Sequence, residues 1–161
     1  MITDTDLYKV AKKNKIPLNG VFMKDEPPSS IYFGGYIINL QDEERNEGGT
    51  HFVGLFIPSH LKSICYMDSF GFPPSESTLN WIKLSALKYY KLIHNEVQIQ
   101  NIKSGGCGIY SLFFIDYMNK QSKFKPLEDS LKEFQKLFDE DTTKNLSILK
   151  HYAPYYMNSI L

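Results

Sequence analysis

The stretch from Ser104 to Met118, SGGCGIYSLFFIDYM, constrains this chain more than any other. Two glycines, a cysteine and a third glycine lead into a run that is apolar on nearly every side. A helix of that kind has no face to offer water, so it belongs in the middle of a domain with other elements around it. At 161 residues the chain makes one domain, 1–161, large enough to bury a sizeable core without disulfides or metal. The remaining segments have to supply what surrounds the helix.

Asp4 or Thr5 is expected to cap a first helix with Leu7, Val10 and Ala11 at helical spacing, ending before Pro17. GVFMKDEPPSS, from Gly20 to Ser30, reads as an irregular link. Three strand-like runs follow, Gly35 to Gln41, His51 to Ile57 and Ser63 to Phe70, separated by polar or turn-forming segments, and their order suggests a meander. Ser75 to Ile93 carries Leu79, Ile82, Ala86, Tyr90 and Ile93 as a helical stripe, and Glu96 to Gln100 returns to alternation. Leu127 to Phe138 is amphipathic through Leu127, Leu131, Phe134, Leu137 and Phe138. The tail from Ile148 predicts a short helix and a packed aromatic end. The expected fold is therefore α+β: a small mixed or antiparallel central sheet packed by helices, with Cys107 at the N-terminus of the buried central helix. No internal repeat or interdomain linker interrupts it.

Lysine plus arginine balance aspartate plus glutamate at 18 each, so nothing draws the whole chain toward nucleic acid or anionic lipid. The N-terminal residues lack the apolar stretch of a signal peptide, and no apolar run approaches the length of a membrane span. A soluble, intracellular protein is expected. Two cysteines, Cys65 and Cys107, cannot make a disulfide framework or a cysteine-rich zinc site. No metal or cofactor is expected.

Cys107 sits where the glycine turn enters the buried helix. Free amides and the helix dipole at such a terminus stabilise a thiolate. Gly105, Gly106 and Gly108 leave little bulk around the sulfur, so a substrate backbone can approach and nearby amides can face a developing oxyanion. His51 opens an otherwise apolar strand and titrates near neutral pH. Asp68 ends the following strand, where it shares a face with Ile64 and Tyr66; if the two strands are neighbours, its carboxylate can orient the imidazole. Gln100 lies seven residues before Cys107 and carries the amide donor an oxyanion hole needs. Each of these side chains also has an ordinary structural role open to it: a packed thiol, a strand-end histidine, a turn-capping aspartate, a solvated glutamine. Gln98 is the rival of Gln100, with a spacing to Cys107 that fits worse. Cys65 reads as a core residue, and His60, His94 and His151 as surface or helix-terminal.

In the order GGTHF, CYMDSFGF, QIQNIKSGGCG, the chain resembles the adenain-like family, the adenovirus maturation protease type, and the wider clan CE of cysteine proteases that includes SUMO-deconjugating enzymes. The resemblance runs from roughly residue 20 to 120, faintly including GVFMKD upstream, and leaves the C-terminal forty residues unassigned. It implies His51 as general base, Asp68 as the acidic orienter, Gln100 as the oxyanion glutamine and Cys107 as nucleophile. The separations of His51 from Asp68 and of Gln100 from Cys107 are those of the adenain pattern. Phe52 stands where the family usually has tryptophan, and the acid is aspartate where adenain has glutamate.

The resemblance implies a virus-encoded cysteine endopeptidase that cleaves capsid and virion precursor proteins during maturation, near small residues and often glycine. It places the enzyme in the host cell at sites of virion assembly, with packaging in the virion as an extension of that. A monomer acting on protein substrates, without a membrane, is expected. Adenain is activated by a peptide tethered to a cysteine between the acid and the glutamine, and by DNA. No cysteine lies between Asp68 and Gln100, and the neutral net charge speaks against a DNA requirement. The alternatives are a deconjugating enzyme for ubiquitin-like modifiers, and a catalytically silent capsid-binding relative.

Overall fold

The computed structural model describes residues 2–31, 33–40, 51–84 and 90–154. Helix α1 (Asp4–Lys13) begins one residue before the start an Asp4 cap would set and two before that of a Thr5 cap. Thr3 is the cap: its hydroxyl accepts the Asp6 N–H at 3.2 Å while the Asp6 carboxylate takes the Thr3 N–H at 2.8 Å. This reciprocal pair satisfies two of the free amides of the first turn, which neither Asp4 nor Thr5 could do from inside the helix. Leu7, Val10 and Ala11 are buried as their spacing predicts.

A five-stranded mixed sheet follows, with β1 (Leu18–Met23), β2 (Gly34–Asn39), β3 (Phe52–Ile57), β4 (Ser63–Met67) and β5 (Lys91–His94) in that spatial order. The centre, β2 to β4, is the expected antiparallel meander. The two edges are parallel pairs, β1 on β2 and β5 on β4. Strand β1 occupies part of the segment read as an irregular link. Its apolar side chains are only partly buried, and an edge strand carrying Asn19 and Gly20 has no apolar alternation to announce it.

Helix α2 (Glu76–Leu84) is shorter than the stripe to Ile93 suggests, and Ile93 belongs to β5. Ala86 lies outside the described residues. Glu96 to Gln100 forms no strand, despite its alternation. The N–H groups of Ile99 and Gln100 both go to the single carbonyl of Ser69, each at 2.9 Å, which a one-to-one ladder does not permit.

Helix α3 (Cys107–Gln121) crosses one face of the sheet, and residues 108–116 are buried without interruption. Its close approach depends on Gly35 in β2, where a Cβ would come within 2.4 Å of Ile115 Cγ2. Helices α1, α4 (Leu127–Lys136) and α5 (Asn145–Tyr152) complete that layer around Ile37, Phe56, Cys65 and Met67. The opposite face buries Tyr36, Val53, Leu55, Ile64 and Tyr66 against Trp81 and Ile82 of α2. A sheet covered on both sides explains why β2 and β3 are apolar at nearly every position.

Helix α4 stops two residues short of the expected Phe138, although Leu127, Leu131 and Phe134 face the core as predicted. The expected C-terminal helix is α5, while residues 155–161 lie outside the described residues. Asn145 ties it down: its Nδ2 donates to the carbonyls of Ile99 at 2.7 Å and Asp139 at 2.9 Å. Among the described residues no helix is long and apolar enough to cross a membrane.

Candidate active site

The site forms at one end of the sheet. Antiparallel pairing of β3 with β4 brings the start of one strand beside the end of the other, with Gly54 opposite Met67. His51 precedes β3 and Asp68 follows β4, and His51 Nε2 meets Asp68 Oδ1 at 2.8 Å. Both side chains are buried, at 1% and 0% exposure.

Asp68 is fixed from three directions that its sequence position does not reveal. Its Oδ1 also accepts the Phe70 N–H at 2.9 Å. Its main chain is bracketed by Asn95, whose Oδ1 accepts the Asp68 N–H at 3.0 Å and whose Nδ2 donates to the Asp68 carbonyl at 2.7 Å. The Phe70 ring then stacks on His51, with centroids 4.7 Å apart and planes at 14°. The imidazole is thus held in its plane by an aromatic face and in its direction by a carboxylate.

Cys107 is the first residue of α3, and the cap before it is Gly106 at φ +105°, a left-handed conformation that favours glycine. The half-buried sulfur accepts the Phe52 N–H at 3.4 Å, so the residue after His51 is linked to the thiol through its backbone. Ser111, one turn along α3, donates its hydroxyl to the Cys107 carbonyl at 2.8 Å.

Burial pulls the His51 pKa down, but the hydrogen bond to Asp68, then the contact with Cys107, and the charges of both outweigh it and raise it to about 9. The balance favours the charged form of the ring, which lies between the Asp68 carboxylate and the Cys107 sulfur. Its Nδ1, the nitrogen that does not meet Asp68, closes no directed hydrogen bond. The sulfur is nevertheless near enough to favour the charged ring. A loose thiol–imidazole contact that tightens when substrate binds is common in a free enzyme.

The structure therefore brings His51, Asp68 and Cys107 together. Gln100 lies one step away, buried, with Nε2 donating to the Ser104 carbonyl at 2.8 Å and Oε1 accepting the Ser69 hydroxyl. Gln98 is exposed, and its amide donates to the Gln100 carbonyl at 2.9 Å. Cys65 is enclosed in the core, where burial pushes its thiol pKa well up. His60 and His151 are exposed, and His94 bonds the Asn95 carbonyl. Among the described residues no group of three or more His, Cys, Asp or Glu side chains is placed to hold a metal ion. Asn95, Phe70 and Ser69 are the site's supports that sequence reasoning misses. Phe70 and Ser69 lie within the SFGF run after the acid, a signal that could have found them; Asn95 has none.

The fold is α+β, a five-stranded mixed sheet between helices, with α3 crossing one face of it. Crystal structures of the ASFV pS273R protease share it. One covers 100% of this chain and 67% of that one, with a TM-score of 0.55 at 19% identity. Its Se-Met form covers 80% of this chain with a TM-score of 0.50 at 20% identity, and there this chain spans 44% of the protease. At these identities the likeness is one of fold. No family model matches the sequence, and no curated protein matches it.

Proposed function

We propose that residues 1–161 form a virus-encoded cysteine endopeptidase domain that processes capsid and virion precursor proteins. The observation that carries this reading is the 2.8 Å contact between buried His51 and Asp68 beside the Cys107 sulfur at the start of α3. A buried imidazolium flanked by a carboxylate and a cysteine has a clear use in forming and discharging a thioester.

In the proposed cycle, His51 holds the proton of Cys107, and the thiolate attacks the peptide carbonyl carbon. The C–S bond forms while the carbonyl π pair moves to oxygen. The Cys107 N–H and the Gln100 carboxamide stabilise that oxyanion. Collapse breaks the C–N bond, and His51 passes its proton to the leaving amine. Water, deprotonated by His51, then attacks the thioester and releases the acid. The likeness to the ASFV protease supports the fold in which this cycle would run.

Mass spectrometry of virion precursors co-expressed with the enzyme tests the assignment: defined cleavages, lost with Cys107→Ala, are expected. Reaction with ubiquitin-like modifier probes in place of precursor cleavage would favour a deconjugating enzyme instead. Gln100→Ala should slow turnover by about 10²–10³-fold, the cost of one oxyanion donor. If Gln98→Ala shows that loss and Gln100→Ala is silent, the donor is misassigned.

The proposed enzyme works as a monomer at sites of virion assembly and needs no DNA or tethered peptide. DNA activation depends on phosphate neutralisation, and a chain with 18 basic and 18 acidic residues has no general surplus to supply it. Nuclease-treated enzyme in reductant should cleave a glycine-containing precursor peptide at the same rate with and without DNA. A large stimulation that fades as salt rises would contradict this.

A further inference from the structure

Ser69 follows Asp68 in the chain, is fully buried, and touches neither the imidazole nor the thiol through any hydrogen bond described above. Its hydroxyl donates to Gln100 Oε1 at 2.5 Å. Its carbonyl takes the N–H groups of Ile99 and Gln100, so backbone and side chain of the glutamine are held by the same residue. On its other side, Gln100 Nε2 donates at 2.8 Å to the Ser104 carbonyl, three residues before Cys107.

These two partners are not equivalent. A backbone carbonyl can only accept, so Ser104 requires the nitrogen to face it; a flipped carboxamide would set two oxygens against each other. With the nitrogen so placed, Oε1 is directed at Ser69, and the hydroxyl can satisfy it only by donating. The carboxamide nitrogen has two hydrogens, of which Ser104 uses one. A hydrogen bond accepted at Oε1 also draws electron density toward the oxygen and makes the remaining N–H a stronger donor.

We propose that Ser69 is a positioning residue of the oxyanion site: its hydroxyl holds and polarises the Gln100 carboxamide so that the hydrogen left free by Ser104 serves the tetrahedral oxygen formed at Cys107. This rests on the reading of Gln100 as oxyanion donor. The Asp68–Ser69 dipeptide then orients two separate groups, the imidazole through one residue and the amide through the next.

Two measurements test it. Ser69→Ala should lower kcat roughly tenfold with KM unchanged, because the oxyanion exists only in the transition state. In a Gln100→Ala background the same change should cost nothing further; an undiminished second loss would show a general structural role and overturn the proposal. The second readout does not depend on cleavage. In isotope-labelled protein the two Gln100 side-chain amide hydrogens should be distinct in the wild type, with the one bonded to Ser104 exchange-protected; in Ser69→Ala both should shift and that one should lose protection. Freely averaging Gln100 amide hydrogens in the wild type, or a spectrum unchanged by the substitution, overturn the proposal, and the wild-type spectrum decides alone if the variant does not fold. Protected, Ser69-dependent amide hydrogens in a protein that cleaves no peptide would uphold the hold of Ser69 on Gln100 and remove the protease reading.

Discussion

Cys107→Ala is expected to abolish peptide turnover, with a loss on the order of 10⁶-fold, as when a nucleophile acting together with its base is removed. The fold should survive. Gly106 still provides the left-handed turn into α3, and the helix is anchored by its buried residues from Gly108 onward rather than by the half-buried sulfur. The control is the other thiol. Cys65→Ala should retain turnover and lose some thermal stability, because that side chain is wholly enclosed in the core. Iodoacetamide at neutral pH should label the wild type once, at Cys107, because burial holds the Cys65 thiol protonated. Labelling that disappears with Cys65→Ala and persists in Cys107→Ala would show that the reactive cysteine has been wrongly named.

The second large effect concerns the base and its orienter. His51→Ala removes the group placed to move the thiol's proton, so its loss should approach that of Cys107→Ala. Asp68→Asn should cost less, up to about 10⁴-fold, since an amide can still hold the ring but cannot compensate an imidazolium charge. The pH profile separates these roles. Burial pulls the His51 pKa down and is opposed chiefly by Asp68, the balance in the wild type lying at about 9. Activity that needs the imidazolium–thiolate pair should therefore fall on an alkaline limb near pH 9, and Asp68→Asn should move that limb to lower pH. An unmoved limb would mean that another group sets it.

The same shift has a consequence for stability. The folded-state pKa of about 9 lies above the reference 6.5, so protonated His51 favours the folded state. That contribution is fully present below pH 6.5 and is lost as pH rises through about 9. Unfolding temperatures of wild type and His51→Ala compared from pH 6 to 10 should converge at the alkaline end.

By itself the sequence determined the elements whose signals are local. The apolar run after Cys107 had to be a buried helix, because no face of it suits water, and the three central strand runs, divided by polar or turn-forming segments, read as a meander from their order. His51, Asp68, Gln100 and Cys107 were singled out through the resemblance of GGTHF, CYMDSFGF and QIQNIKSGGCG to a known family, because residue types in order along a chain are a sequence property. Tertiary structure alone decided what depends on partners far along the chain. The parallel edges β1 and β5 took their places through pairing with β2 and β4, so Glu96 to Gln100, which alternates like a strand, was displaced by Lys91 to His94. Asn95 brackets a main chain 27 residues away, a match of one donor and one acceptor that no periodicity records. Phe70 meets the face of His51 only because β3 and β4 run antiparallel, and Ser69 meets Gln100 only because two N–H groups converge on one carbonyl. A side chain's chemistry is carried in the sequence, but the direction from which it is held is set by the fold.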